Sequence, residues 1–214
     1  MTCTIQTWAS NRLPAVVVSA LLLAFPLLAA GSAEAASGEG VSPEQMVRRT
    51  SEQVISVLGD QSLSSEQKRQ RLQEQLDSCA DFLVTSKLVL ARNWRSLTDE
   101  QKSEFTELFR TYLIVTYRRN LDIYSGETVE IVGSREEARG DYTVQTRINR
   151  GGGEKDILVD YRLRESEQGE WRIIDVIVEG ISLVSNMRSQ FQEVISRGGP
   201  EKLLQALREK KTEG

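Results

Sequence analysis

Residues Asp141-Tyr142-Thr143-Val144-Gln145-Thr146-Arg147-Ile148-Asn149-Arg150, then Gly151-Gly152-Gly153, then Glu154-Lys155-Asp156-Ile157-Leu158-Val159-Asp160-Tyr161-Arg162-Leu163-Arg164, carry a two-residue alternation of apolar and polar side chains. In the first run Tyr142, Val144, Thr146 and Ile148 alternate with Thr143, Gln145, Arg147 and Asn149. In the second, Ile157, Val159, Tyr161 and Leu163 alternate with mostly charged neighbours. A period of two predicts strands with one dry face, and a link as short as three glycines joins neighbours only in the antiparallel sense.

The pattern extends both ways. Upstream, Glu127 to Val132 reads as a short strand and Gly133 to Gly140 as a charged turn. Downstream, Glu170 to Val178 is apolar on both sides, with Trp171, Ile173 and Ile177 on one face and Ile174, Val176 and Val178 on the other. Such a strand is covered on both faces. The expectation is a four-stranded curved antiparallel sheet.

Helical periods flank this meander. Ser42-Pro43-Glu44-Gln45, Ser64-Ser65-Glu66-Gln67 and Thr98-Asp99-Glu100-Gln101 each place a hydroxyl at an N-cap and a Gln three residues on, which marks three helix starts. The first helix should run to about Leu58 and the second to about Cys79. A more apolar stretch follows from Phe82 to Trp94, and a long helix from Asp99 to about Tyr124 carries Phe105, Leu108, Phe109, Tyr112, Leu113, Tyr117 and Leu121. That stripe is wider than a surface helix needs. After Glu179-Gly180 the helical period returns through Ile181, Val184, Met187, Phe191, Val194 and Ile195; Gly198-Gly199-Pro200 closes that helix and opens a short last one. The fold class is α+β: N-terminal helices, a four-stranded curved antiparallel sheet and C-terminal helices covering one of its faces.

The N-terminus reads as an address. Arg12 precedes an apolar stretch from Leu13 to Ala30, and Ala33-Glu34-Ala35 supplies small residues before a cleavage point. Residues 1–35 are therefore expected to be a cleavable signal peptide, 36–41 a flexible leader, 42–210 a single domain and 211–214 a tail. This organisation implies export, most naturally to a periplasm.

Composition removes several function classes. The 214 residues contain no histidine, so a Ser-His-Asp or Cys-His catalytic unit and a His-ligated metal are excluded. Lys and Arg total 27 against 31 Asp and Glu, a net charge of −4 that offers no field for nucleic acid. Cys79 is the one cysteine outside the signal, which leaves no cysteine pair for a disulfide or a zinc site. No metal or cofactor is expected.

Four features invite a chemical reading. Asp175 and Glu179 lie four apart, a spacing that can bring two carboxylates together as a glycosidase does, but the stronger reading is a bond to backbone or Arg for the first and a solvated strand end for the second. Gly151-Gly152-Gly153 leads into a strand rather than a helix and lacks a Lys-Ser/Thr ending, so it reads as a hairpin link. Arg118, Arg119, Arg147, Arg150, Arg162 and Arg164 read either as a patch for a phosphate headgroup or as a face paired with Glu and Asp. Cys79 falls in an apolar register and reads as a buried thiol. Pattern alone leaves the aromatic stripe and the dry strand face as ordinary core.

A resemblance adds what periodicity cannot. The stretch from Leu90 to Phe105, LARNWRSLTDEQKSEF, together with Phe109-Arg110-Thr111-Tyr112-Leu113, Tyr124-Ser125-Gly126-Glu127-Thr128-Val129 and Gly169-Glu170-Trp171-Arg172-Ile173-Ile174-Asp175-Val176-Ile177-Val178-Glu179-Gly180-Ile181-Ser182-Leu183, resembles the MlaC or toluene-tolerance family of periplasmic phospholipid-binding proteins. Ala91 stands where that family's pattern has glycine. The resemblance implies an MlaC-like cone that encloses lipid tails and catalyses nothing. It implies a shuttle of phospholipid between the outer membrane and an inner-membrane ABC transporter bearing an MCE-domain protein, with an outer-membrane lipoprotein complex at the other end. Relatives linked to hopanoid lipids, or an adaptor with a packed interior, are the alternatives. On this reading the tail pocket is expected to be lined by Phe105, Phe109, Tyr112, Leu113 and Tyr117 from the long helix and by Val144, Ile148, Val159, Tyr161, Ile174 and Val176 from the sheet. Trp171 and Asp175 are expected to anchor the last strand, and a Trp at Val144 or Val159 is expected to fill the pocket.

Overall fold

The computed structural model describes residues 40–117 and 126–212. The expected signal segment, most of the expected leader, residues 118–125 (Arg118 and Arg119 included) and the last two residues lie outside the described residues.

Helix α1 (Pro43–Gly59) and helix α2 (Ser65–Cys79) open the chain, each started by a complete capping box, Ser42 with Gln45 and Ser64 with Gln67. Helix α3 (Phe82–Leu90) is capped by Asp81, whose carboxylate accepts the Val84 N–H at 2.8 Å. Helix α4 (Asp99–Tyr117) starts at Thr98, whose hydroxyl accepts the Gln101 N–H at 3.2 Å while the Gln101 amide accepts the Thr98 N–H at 3.1 Å. The meander follows as β1 (Thr128–Glu136), β2 (Tyr142–Asn149), β3 (Ile157–Glu165) and β4 (Trp171–Val178), and the two-residue β5 (Ile181–Ser182) leads into helix α5 (Leu183–Thr212). All neighbours are antiparallel in the order β1-β2-β3-β4-β5.

The α+β class and the meander stand as read, and four details differ. The sheet has five strands rather than four. Glu179 and Gly180 both take positive φ, +48° and +80°, which makes a two-residue primed turn that folds Ile181–Ser182 back onto β4. Ile181 is thus an exposed strand residue and not the first apolar residue of the helix. Strand β1 continues through the expected turn to Glu136, because a bulge at Val132 absorbs one residue between the pairs Ile131/Thr146 and Gly133/Gln145. The apolar stretch expected to be helical up to Trp94 breaks at Ala91, and Ala91–Ser96 form a 3-10 turn.

The fourth difference matters most for the site. Arg162 pairs with Asp175 but Leu163 pairs with Ile173, so Ile174 is an extra residue in β4. Beyond it the faces exchange. Trp171 and Ile173 therefore join Val176 and Val178 on the dry side, and the expected split into odd and even residues fails. The backbone groups that leave the ladder there are satisfied from the α2–α3 corner: Asp81 N–H donates to the Ile173 carbonyl at 3.0 Å and the Thr85 hydroxyl to the Ile174 carbonyl at 3.4 Å.

Apolar residues gather in two clusters. One lies between α1 and the sheet and contains Val47, Val54, Ile55, Leu58, Val144, Ile148, Val159, Tyr161 and Leu163. The other joins α3, α4 and α5 through Val89, Leu90, Phe105, Phe109, Tyr112, Phe191 and Leu204. Helix α5 kinks at Gly198 and Gly199, the closing point read from the sequence.

Candidate functional site

A cavity of about 570 Å³ separates the two clusters, beneath α2. Its volume falls in the roughly 300–1,000 Å³ range of small-molecule sites. The sheet contributes Tyr161 from β3 and Ile173, Ile174, Asp175 and Val176 from β4. Helix α4 contributes Phe109, Leu113 and Ile114, and α5 contributes Leu183, Val184 and Met187. Val47 and Val54 of α1 close one side.

The composition of α2 explains why the space is not filled. In SEQKRQRLQEQLDSC only Leu72, Leu76 and Cys79 are apolar, so this helix has too little hydrocarbon to pack against the wall opposite. Polar bonds to its neighbours hold it instead. Lys68 Nζ donates to the Leu58 carbonyl at 2.6 Å, Arg110 of α4 grips Asp77 with its Nε 2.6 Å from Oδ1, and Arg172 donates to the Ser78 carbonyl. The outer rim formed by α2 is polar, with Glu66, Arg69, Gln70, Gln73 and Glu74.

Of the pocket residues expected from the sequence, the structure brings Phe109, Leu113, Tyr161, Ile174 and Val176 to this cavity. Phe105 and Tyr112 point elsewhere. They pack on Phe191 of α5 with ring centroids 5.9 and 6.0 Å apart, because the wide stripe of α4 serves two directions and these residues occupy the α5 side. Val144, Ile148 and Val159 are completely buried in the cluster under α1, so they belong to the packed core rather than to the wall. The backbone at Tyr117 ends the described part of α4; its side chain lies outside the described residues. Sequence reading missed Leu72 and Leu76, whose sparse i, i+4 spacing on a polar helix is the one available signal, and it missed Ile114, Leu183 and Met187.

Asp175 is almost fully buried at the cavity wall. Its carboxylate accepts the Ser182 hydroxyl at 2.6 Å and the Val184 N–H at 3.1 Å, with Arg162 Nη1 at 3.8 Å. It thus joins β4 to the first turn of α5. Trp171 is half-buried against Tyr142, ring centroids 5.9 Å apart. Glu179 accepts the Leu158 N–H at 2.8 Å, which with the Lys155 ammonium holds its carboxyl below the ordinary value. Each carboxylate of the glycosidase-like pair is therefore engaged with partners of its own. Arg147, Arg150, Arg162 and Arg164 face Glu130, Glu154, Asp175 and Asp141 respectively, a paired face rather than a phosphate patch. Burial pushes the Cys79 thiol up to about 12, and burial also raises the Tyr161 phenol. Neither is a nucleophile near neutral pH.

A family model described as MlaC protein matches residues 48–209, from within α1 to near the end of α5. The chain belongs to the MlaC family. A toluene tolerance protein, ttg2D of Pseudomonas putida, is 25% identical over 187 residues, spanning 84% of this chain and 81% of that one. The binding protein MlaC of the intermembrane phospholipid transport system of Haemophilus influenzae is 22% identical over 118 residues, 54% of this chain and 55% of that one. Among solved structures, a phospholipid-binding protein from Ralstonia solanacearum, determined in complex with a phospholipid, superposes with a TM-score of 0.69 at 29% identity, covering 78% of this chain and 96% of that chain. The elements that wall the cavity all fall within or overlap the stretch matched by the MlaC model. Ala91, where the resemblance leads one to expect glycine, has φ +49° and ψ −120°, backbone that glycine adopts without strain and alanine does not.

Proposed function

We propose that this MlaC-family chain is a periplasmic phospholipid carrier that works without catalysis. The observation that carries the reading is the apolar cavity between β4, α4 and α5 under a polar helix, because a core built only for stability would have closed it. Each buried methylene is worth about 0.8 kcal/mol, so moving two acyl chains bare through water costs on the order of 20 kcal/mol. A carrier removes that cost by offering the tails a wall such as Leu113, Ile114, Ile173, Ile174, Val176 and Met187. The Ralstonia relative solved with a phospholipid supports the ligand class.

In this reading residues 1–35 direct export and are removed. The carrier receives and delivers lipid at an outer-membrane lipoprotein complex and at an inner-membrane ABC transporter bearing an MCE-domain protein. No step requires bond making, so the carboxylates near the cavity hold structure. The test is native mass spectrometry and lipid extraction of the chain purified from its own periplasm. About one phospholipid per chain is expected. A stoichiometric hopanoid would replace the ligand class, and a lipid-free chain that stays empty after incubation with phospholipid vesicles would favour an adaptor instead.

A further inference from the structure

A second cleft, of about 480 Å³, lies against the first, between α1, the end of α2 and the start of β4. The two share Thr50, Gln75 and Cys79 as a common wall. A lipid whose tails fill the apolar cavity must place its phosphate at a polar end, and among the described residues there are two. At the α2 rim Glu66 and Glu74 outnumber Arg69, and Arg69 is already paired with Glu66 at 2.6 Å. That end repels a phosphodiester. The adjoining cleft has the opposite balance: Arg49 and Arg172 face a single acid, Glu170. Arg172 spends bonds on the Ser78 carbonyl and on Glu170, whereas exposed Arg49 has no ion pair among the described residues. An unspent guanidinium next to a tail cavity is the stronger anion seat, since it can form two bonds to phosphate oxygens without breaking an existing pair.

We propose that this cleft seats the guest's phosphodiester headgroup, with Arg49 as its cation and Arg172 as a second donor. The inference rests on the carrier reading and gives the lipid an orientation within it. The glycerol backbone crosses the shared wall, where the Thr50 hydroxyl and the Gln75 amide are the polar groups within reach of the ester carbonyls. Met46 and Trp171 complete the lining of the cleft.

The experiment loads the mature chain with phosphatidylglycerol from vesicles and follows the phosphorus resonance of the bound lipid and its rate of release to acceptor vesicles. Arg49→Gln is expected to move the resonance and to speed release about tenfold, the scale of one lost charge-assisted contact, and Arg49→Lys to restore part of both. Arg69→Gln tests the competing rim. A resonance that follows Arg69 and ignores Arg49 overturns the assignment, with the lipid still bound and the carrier reading intact. Inorganic phosphate separates the sources: millimolar phosphate that binds through Arg49 while the lipid resonance ignores Arg49 marks a free-phosphate site and overturns it as well. A wild-type chain that takes up no lipid overturns both readings together.

Discussion

The two sides of α4 are made of the same kinds of residue and end in opposite states. Toward α5, Phe105, Phe109 and Tyr112 close on Phe191 with centroids 5.9 to 6.0 Å apart, and Phe105 stacks on Phe109 at 5.6 Å. Toward α2, Leu113 and Ile114 meet a space of about 570 Å³. The contrast lies in the element that arrives from the other side. Helix α5 brings the Phe191 ring and aliphatic side chains such as Leu204 and Leu207 that pack against α4, while α2 brings two leucines and a cysteine on an otherwise polar helix and is tied down by Lys68, Arg110 and Arg172. A hollow survives in a protein when its cover is held by polar bonds at its ends instead of by the packing beneath it.

The filled side breaks hardest. Phe191→Ala removes the ring on which three aromatics converge and should cost about 3–5 kcal/mol in denaturant unfolding. A loss under about 1 kcal/mol would mean the rings are not interlocked. The hollow side is sharpened by a pair of tryptophans. Val159→Trp enters a completely buried site in the sheet cluster and should cost about 1–3 kcal/mol by overpacking, whereas Val176→Trp projects from the cavity wall and should cost less than about 1 kcal/mol while lowering lipid occupancy severalfold. Equal stability losses at the two positions would show that the hollow is a packed core after all.

These assignments show where sequence reading reaches its limit. The strands β2 and β3 and the three capping boxes were legible because period and cap chemistry are local. The bulge at Ile174 was not, since an extra residue in β4 still looks apolar and only pairing with β3 reveals that the faces have exchanged. The turn Glu179-Gly180 reads in sequence as a helix boundary because its first residue is not the Asn or Asp that usually signals a primed turn. The same limit explains the pocket. Phe105 and Phe109 lie on one stripe, yet only the placement of α2 and α5 decides which of them meets a cavity. Val144, Ile148 and Val159 share the dry-face period with Tyr161 but lie under α1, whereas the cavity is walled by β4, α4, α5 and α2.

Two smaller effects probe the same contrast. Ala91 holds a glycine-type conformation at the end of α3 on the filled side, so Ala91→Gly should stabilise the fold by about 1 kcal/mol, read as a rise in the unfolding midpoint. A fall would mean that the positive φ costs nothing there. The smallest effect is the pH response of Glu104 and Glu179. The Arg208 bond lowers the Glu104 carboxyl and the Leu158 N–H lowers that of Glu179, both from 4.5, so their contribution is present above pH 4.5 and is lost as pH falls through the lowered folded values. Both groups sit near solvent and salt should screen the effect. Acid titration of Glu104→Gln against the parent checks it, with a shallower loss of stability below pH 4.5 in the variant.

The most direct test of the hollow is a crystal structure of the chain loaded with phospholipid brominated along its acyl chains, with bromine located by anomalous scattering. The account predicts bromine sites beside Leu113, Ile173 and Val176, with α2 above them. Bromine found only outside that wall, with Leu72 and Leu76 collapsed onto β4, would contradict it.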